Sequence, residues 1–258
     1  MYSQAPAPQP PLVDVIRVPG YAARAIDLIE QVHRAPDAFT LVDVLRCATC
    51  ALGADSGVYV HAIPGDDART VLKVLMACDP LRAYAYARNE TLDRDAWFRY
   101  ARDHFEPVLA SELYRSRSAG GDHSVPVELG FHSALIVPTQ GGGGIGRFGV
   151  LYLGSALAGN FEASGTHLFR VLAHSLSLEL HEWWMHETRS QFLEGTRLST
   201  GELQLLAMER HGLGTKQIAR TLGIGLAAVN SRFQRINVKL RSSSRRVSAL
   251  KAATQGLL

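Results

Sequence analysis

Between Asn230 and Lys239 the sequence NSRFQRINVK places two carboxamides, Asn230 and Gln234, four residues apart among Arg232, Arg235 and Lys239. On a helix that spacing puts the amides on one face. A carboxamide donates and accepts at once, which matches the edge that adenine shows in the major groove, while Arg and Lys neutralise phosphates and hold register. Lys216, Gln217, Ser231 and Arg245 extend this set of candidate DNA contacts. The apolar residues of the same stretch, Val229, Phe233, Ile236 and Leu240, recur at helical spacing, so they supply the opposite, core-facing side.

The elements that must present this face are legible around it. Ser199-Thr200-Gly201-Glu202 has the S-x-x-E form of a capping box, which starts a helix by satisfying two orphan amides. Leu203, Leu206 and Ala207 give that helix a buried stripe, and His211-Gly212-Leu213-Gly214 ends it. A second helix is predicted from about Thr215 to Leu222 with Ile218, Ala219 and Leu222 inward. Gly223-Ile224-Gly225 then supplies the short glycine-containing turn that sets two helices across each other. A further helix is predicted from about Ser244 to Ala253.

Charge supports a division of labour along the chain. From Leu198 onward there are ten Lys/Arg against two Glu, a net +8, whereas the preceding residues carry a net −5. Positive charge gathered in one small segment is the footprint expected of a part that meets phosphates. With 258 residues, 47% hydrophobic and 20% charged, the chain has room for one large domain and one small one. Apolar runs are short and interrupted by charge, and the first residues lack the basic and apolar regions of a signal peptide, so no membrane contact and a cytoplasmic location are expected.

In the larger part, the Pro-rich APAPQPP marks residues 1–13 as a mobile tail. Helical periodicity runs from about Asp14 to His33 and from Phe39 to Leu52. Gly57 to Ile63 alternates as a strand, as do Ala134 to Pro138 and Phe148 to Leu153, and Gln140 to Gly146 suits a hairpin between the last two. A long amphipathic helix is predicted from Phe161 to about Glu194, with Leu168, Leu172, Leu176, Leu180 and Trp183 on one face. The expected fold is an α/β sensor domain, a central antiparallel sheet sandwiched by helices, followed by an all-α four-helix helix-turn-helix domain.

Other motifs carry less. The glycine run at 141–144 lacks the Lys-Ser/Thr of a phosphate loop. Cys47 and Cys50 have C-x-x-C spacing inside a predicted helix with no second pair, and they are expected to be buried core thiols. His181 and His186 are five apart, so they do not share a helix face as zinc-protease histidines do. No nucleophile, base and oxyanion set assembles, so neither an enzyme, a metal site nor a bound cofactor is expected.

The C-terminal segment resembles the LuxR-type helix-turn-helix through Leu198, Glu202, Leu206, Gly212, Ile218-Ala219, Leu222-Gly223-Ile224, Val229, Ile236, Lys239-Leu240 and Arg245. Gln217, Ala228, Arg232 and Arg241-Ser242 depart from that pattern. The resemblance implies that Asn230 and Gln234 sit where base-contacting residues lie, and that the fourth helix helps to form a dimer. Its paired recognition helices would meet half-sites roughly 34–36 Å apart.

The larger part resembles the autoinducer-binding domain of quorum-sensing LuxR regulators. Asp95 to Arg102 with Pro107, Tyr86, and Gly130-Phe131-His132-Ser133-Ala134 with Val137-Pro138 carry that likeness. It implies that Tyr86 and Asp95 hydrogen-bond an acyl-homoserine lactone while aromatic side chains enclose the ring. Departures fall at the ring site: Arg82 and Ala110 stand where Trp is usual, Ala96 follows Asp95 in place of Pro, and Ala134 follows Ser133 in place of Gly. Trp97 is placed to refill lost volume, and Tyr59, Ser133 and Tyr152 complete the candidate ligand residues.

The expected organisation is a tail at 1–13, a small-molecule-binding domain at 14–188, a linker at 189–197 and a DNA-binding domain at 198–258. The expected function is a ligand-responsive transcriptional regulator that binds a palindromic operator in double-stranded DNA as a homodimer, with RNA polymerase a further candidate partner. Its signal would be an acyl-homoserine lactone or a related small molecule. The alternatives are a ligand-independent regulator of the same kind, or a small-molecule enzyme with a basic helical tail.

Overall fold

The structure is a computed structural model, and it describes residues 10–64, 70–81, 83, 95–116, 129–141 and 146–258. These fall into two compact units, one formed by residues up to Trp183 and the other by residues from Trp184 to Leu258. Arg82 and Tyr86, two of the expected ligand residues, lie outside the described residues, as do the glycines at 142–144.

In the first unit, helices α1 (Leu12–Arg17), α2 (Tyr21–Arg34) and α3 (Ala38–Leu52) precede strands β1 (Ser56–Pro64) and β2 (Thr70–Ala77). The single helix predicted from Asp14 to His33 is two, because Val18-Pro19-Gly20 interrupts it with an extended Val18, a proline and a left-handed Gly20. Strand β2 was not anticipated. Then come α4 (Ala96–Asp103), β3 (Val108–Leu109), α5 (Ala110–Ser116), β4 (Ser133–Gln140) and β5 (Phe148–Ser155). The long helix α6 spans His167–Thr196, so the residues expected as a linker continue it as far as Thr196.

The sheet has the order β2-β1-β5-β4-β3. β5 pairs antiparallel with both β1 and β4, and every residue of β5 is buried. Opposed residues share a face, so Val58, Tyr152 and Ile136 form one row and Ala62 and Phe148 another. This face packs with Ala96, Trp97, Phe98 and Ala101 of α4 and Ala110 and Leu113 of α5 into one hydrophobic core. Gln140 fastens α4 to the sheet by donating from Nε2 to the carbonyls of Ala101 and His104, both at 2.9 Å. The donations satisfy acceptors that a helix end leaves open.

The other face meets α3 and α6. Ser177 of α6 lies 2.7 Å from the Thr139 hydroxyl and donates to the Val137 carbonyl at 3.0 Å. Gly149 has no side chain because Tyr59 and His181 take that space; a Cβ there would lie 2.1 Å from the Tyr59 hydroxyl. Cys47 and Cys50 are exposed rather than buried. The inward stripe of α3 is Leu41, Val44, Leu45, Ala48, Thr49 and Leu52, and helical periodicity turns both thiols away from it.

Two buried histidines stand on this second face. His61 and His181 have ring centroids 5.2 Å apart, and His181 Nδ1 lies 3.2 Å from the Tyr59 hydroxyl. Burial holds His61 down to about 3, helped by the charges of His181, Arg147 and Lys73, and burial with Arg147 holds His181 down to about 4. Both imidazoles are neutral when folded at neutral pH, yet near 6.5 once unfolded, so on acidification the unfolded chain takes up protons first. Stability is therefore full above about pH 6.5 and falls as pH drops toward 4, by about 2 kcal/mol per histidine at pH 5. Urea unfolding at pH 7 and pH 5 checks this: the midpoint drops in the native chain and drops less in His61→Gln.

Candidate functional site

Asp95 organises the first candidate site. It caps α4, its Oδ1 accepting from the backbone N–H of Trp97 at 2.8 Å and of Phe98 at 3.1 Å. Capping fixes where the next residues point. Trp97 is 1% exposed and lies beneath the sheet face, its ring centroid 5.4 Å from Tyr152 and 6.3 Å from Phe131. Phe131 in turn occupies the space above Gly154, where a Cβ would lie 2.1 Å from its ring.

Tyr114, which the sequence analysis did not single out, joins this group from α5. Burial pushes its phenol up to about 12, a hydrogen bond with Trp97 pulls the other way, and the Asp95 carboxylate raises it further. A signal was available: Tyr114 follows Ala110 by four residues, so both belong to one side of α5. Asp95, Trp97, Ala110, Ala134 and Tyr152 are thus brought to one face of the sheet, with Tyr114 beside them.

Two expected ligand residues stand apart from that group. Tyr59 is on the opposite face against His181, and burial carries its phenol well above the ordinary value. Ser133 also points away; its hydroxyl donates to the Glu162 carboxylate at 2.7 Å and accepts from the Phe161 N–H at 3.1 Å, which ties β4 to the segment before α6. The physical reason is the period of two along a strand. Ala134 and Tyr152 face α4 and α5, and residues of opposite parity on β1 and β4 do not.

The second candidate site lies in the C-terminal unit. Helices α7 (Thr200–Arg210), α8 (Thr215–Leu222), α9 (Leu226–Lys239) and α10 (Arg245–Thr254) pack Leu205, Leu206, Ile218, Val229, Phe233, Ile236 and Leu240 into their own core. The capping box at Ser199 and Glu202 forms with both bonds present. Gly223 closes α8 at φ 63 with nothing near its missing Cβ, so conformation rather than space demands glycine there. Within α7, Leu205 and Leu206 are fully buried, whereas Leu203 and Ala207 are only partly so.

On α9, Asn230, Ser231, Gln234 and Arg235 are exposed, Arg232 is half-buried on the flank, and Lys216 and Gln217 are exposed on α8. Gln217 also bonds back to the Gly214 N–H at 2.8 Å. Lys239 and Arg245 are engaged within the unit. Lys239 Nζ reaches Glu202 at 2.7 Å and the Arg197 carbonyl at 2.9 Å. The Arg245 guanidinium pairs with Glu209 at 3.1 Å, donates to the Thr215 hydroxyl at 2.8 Å and lies 5.7 Å over the Phe233 ring. Glu202 and Glu209 are the two acidic residues after Leu198, so each holds one cation in a structural role.

Among the described residues no three His, Cys, Asp or Glu side chains gather to hold a metal ion, and no helix is long and apolar enough to cross a membrane. No family model matches the chain, and no curated protein matches it. Solved structures do. SdiA in complex with octanoyl-rac-glycerol superposes with a TM-score of 0.70 at 14% identity, covering 91% of this chain and 95% of that one. Escherichia coli SdiA in another crystal gives 0.67 at 14% identity, over 91% and 98%. CepR2 of Burkholderia cenocepacia, an N-acylhomoserine lactone dependent LuxR family transcription factor, gives 0.51 at 18% identity, over 64% and 96%. This chain shares their fold.

The ion pairs of the C-terminal unit predict how its cations divide. Arg245→Ala removes a pair, a hydrogen bond and a cation–π contact, and is expected to destabilise the unit by about 1–2 kcal/mol. Arg235→Ala, on the open face of α9, is expected to leave stability within about 0.5 kcal/mol. Thermal unfolding followed by circular dichroism separates the two.

Proposed function

We propose that the protein is a ligand-responsive DNA-binding transcriptional regulator of the LuxR quorum-sensing kind. The observation that carries this reading is the open face of α9, the helix that follows the Gly223-Ile224-Gly225 turn, where Asn230 and Gln234 stand exposed with Arg235 beside Gln234. In this reading residues 14–188 sense, 189–197 link and 198–258 bind double-stranded DNA. Asn230 and Gln234 read base edges, and Arg232, Arg235 and Lys216 hold phosphates. The protein works as a homodimer on a palindromic operator in the cytoplasm, and the bound dimer engages RNA polymerase. Lys239 and Arg245 act indirectly, by holding α9 and α10 in place.

The ligand is a small acyl-bearing molecule lodged between α4, α5 and the sheet. Asp95, Trp97, Tyr114 and Tyr152 gather polar groups against an apolar wall there, the usual composition of a small-molecule site. That SdiA has been crystallised with octanoyl-rac-glycerol supports an acylated ligand without a lactone ring, as do Ala110 and Arg82 at the ring positions. An acyl-homoserine lactone is the second candidate. Ligand binding would order the sensing part and favour the DNA-binding dimer by its differential affinity for that state.

Two measurements test the reading. Native mass spectrometry of the full chain incubated with octanoylglycerol or octanoyl-homoserine lactone should show one ligand per chain, with retention lost in Trp97→Ala. Genomic footprinting should show a protected palindrome for the full chain. Asn230→Ala combined with Gln234→Ala should flatten sequence preference while leaving salt-dependent non-specific binding. Unchanged operator discrimination in that double variant would remove the recognition role from α9.

A further inference from the structure

The character of α9 points to the bases it is built to read. Its exposed residues from Leu226 to Gln234 are Leu226, Ala227, Asn230, Ser231 and Gln234, and none of these is a cation; Arg232 is half-buried on the flank and exposed Arg235 follows Gln234. The uncharged stripe Ala227, Ser231, Gln234 and Val238 recurs at steps of four, three and four, which keeps it on the outward side of the helix. Leu226 is 47% exposed and Val238 78% exposed, so the fold leaves apolar surface on a helix whose core stripe is already filled by Val229, Phe233 and Ile236. In a solvated bundle such a face would carry charge.

Base chemistry gives this pattern a meaning. Guanine is read bidentately by Arg or Lys, adenine by Asn or Gln, and the thymine methyl by apolar contact. The N-terminal residues of a recognition helix are the ones that meet base edges. Here the exposed residues from Leu226 to Gln234 offer two amides and two apolar side chains, while the cations stand to the side: Lys216 and Arg220 exposed on α8, Arg232 half-buried on the flank of α9 and Arg235 after Gln234. Resting on the DNA-binding reading above, we infer that α9 reads an A·T-rich half-site. Asn230 and Gln234 pair with adenines, and Leu226 and Ala227 pack against thymine methyl groups. The cations contribute to affinity through phosphates and add no preference for guanine.

Selection of a random duplex pool by the full chain, followed by fluorescence anisotropy on the retained sequence, tests this. Retained half-sites should be A·T-rich. Replacing a contacted thymine by deoxyuridine removes only the methyl, and should weaken the native chain about fourfold per methyl. The same replacement should have no effect on the Leu226→Ser, Ala227→Ser double variant, whose retained salt-dependent binding to unrelated duplex shows that it is folded. Asn230→Arg with Gln234→Arg should shift selection toward G·C. Retained half-sites rich in G·C, or a deoxyuridine effect that is absent in the native chain or equal in the variant, would overturn the inference and leave the DNA-binding reading standing. Failure to enrich any sequence would overturn both.

Discussion

The period of two along β1, β4 and β5, in a sheet covered on both sides, governs what the first unit can do. Every residue of β5 is buried, so neither face is a solvated surface and each side chain is committed to one of two interiors. One interior is aromatic and takes Tyr152, Ala134 and the residues that Asp95 positions; the other holds Tyr59, His61 and His181 against α6. A shift of one residue in register would exchange the strand residues of these sets and place the His61 imidazole among the groups around Trp97. The register therefore decides both which groups surround Trp97 and the acid sensitivity of the layer behind the sheet.

Much of this was legible in the sequence, and what was missed has physical causes. The capping box at Ser199 and Glu202 and the turn at Gly223 are local devices, complete within a few residues, and they appear where the spacing puts them. Strand β2 follows directly on the charged Asp66-Asp67-Ala68-Arg69, which hides its start in the sequence. The split between α1 and α2 was overlooked because apolar periodicity continues across Pro19. Cys47 and Cys50 are exposed, not buried as expected, because helical phase and not residue type decides which side of α3 a thiol takes.

The candidate sites show the same limit more sharply. A resemblance brings residues together by type, whereas parity along a strand separates them, and so Tyr59 and Ser133 stand away from Asp95 and Trp97. Its spacing of four from Ala110 puts Tyr114 on the same side of α5, but only the packing of α5 on the sheet brings it beside Asp95 and Trp97. In the C-terminal unit, net charge counted Lys239 and Arg245 with the other cations, but pairing with Glu202 and Glu209 gives them a different task. A surface of fixed charge is thus divided by two carboxylates into residues that hold the helices and residues left to face a partner.

The central claim is that the aromatic face of the sheet, around Asp95, Trp97 and Tyr114, receives the signal molecule. The chain has three tryptophans, and Trp183 and Trp184 belong to α6 rather than to α4, so their indole N–H resonances are internal controls. Titration of the isotope-labelled full chain with octanoylglycerol, and separately with octanoyl-homoserine lactone, is the most direct test. The account predicts that one of them moves the Trp97 indole resonance to saturation, with Trp183 and Trp184 shifting far less. A Trp97 resonance that stays fixed with both, or moves less than the other two, would contradict it.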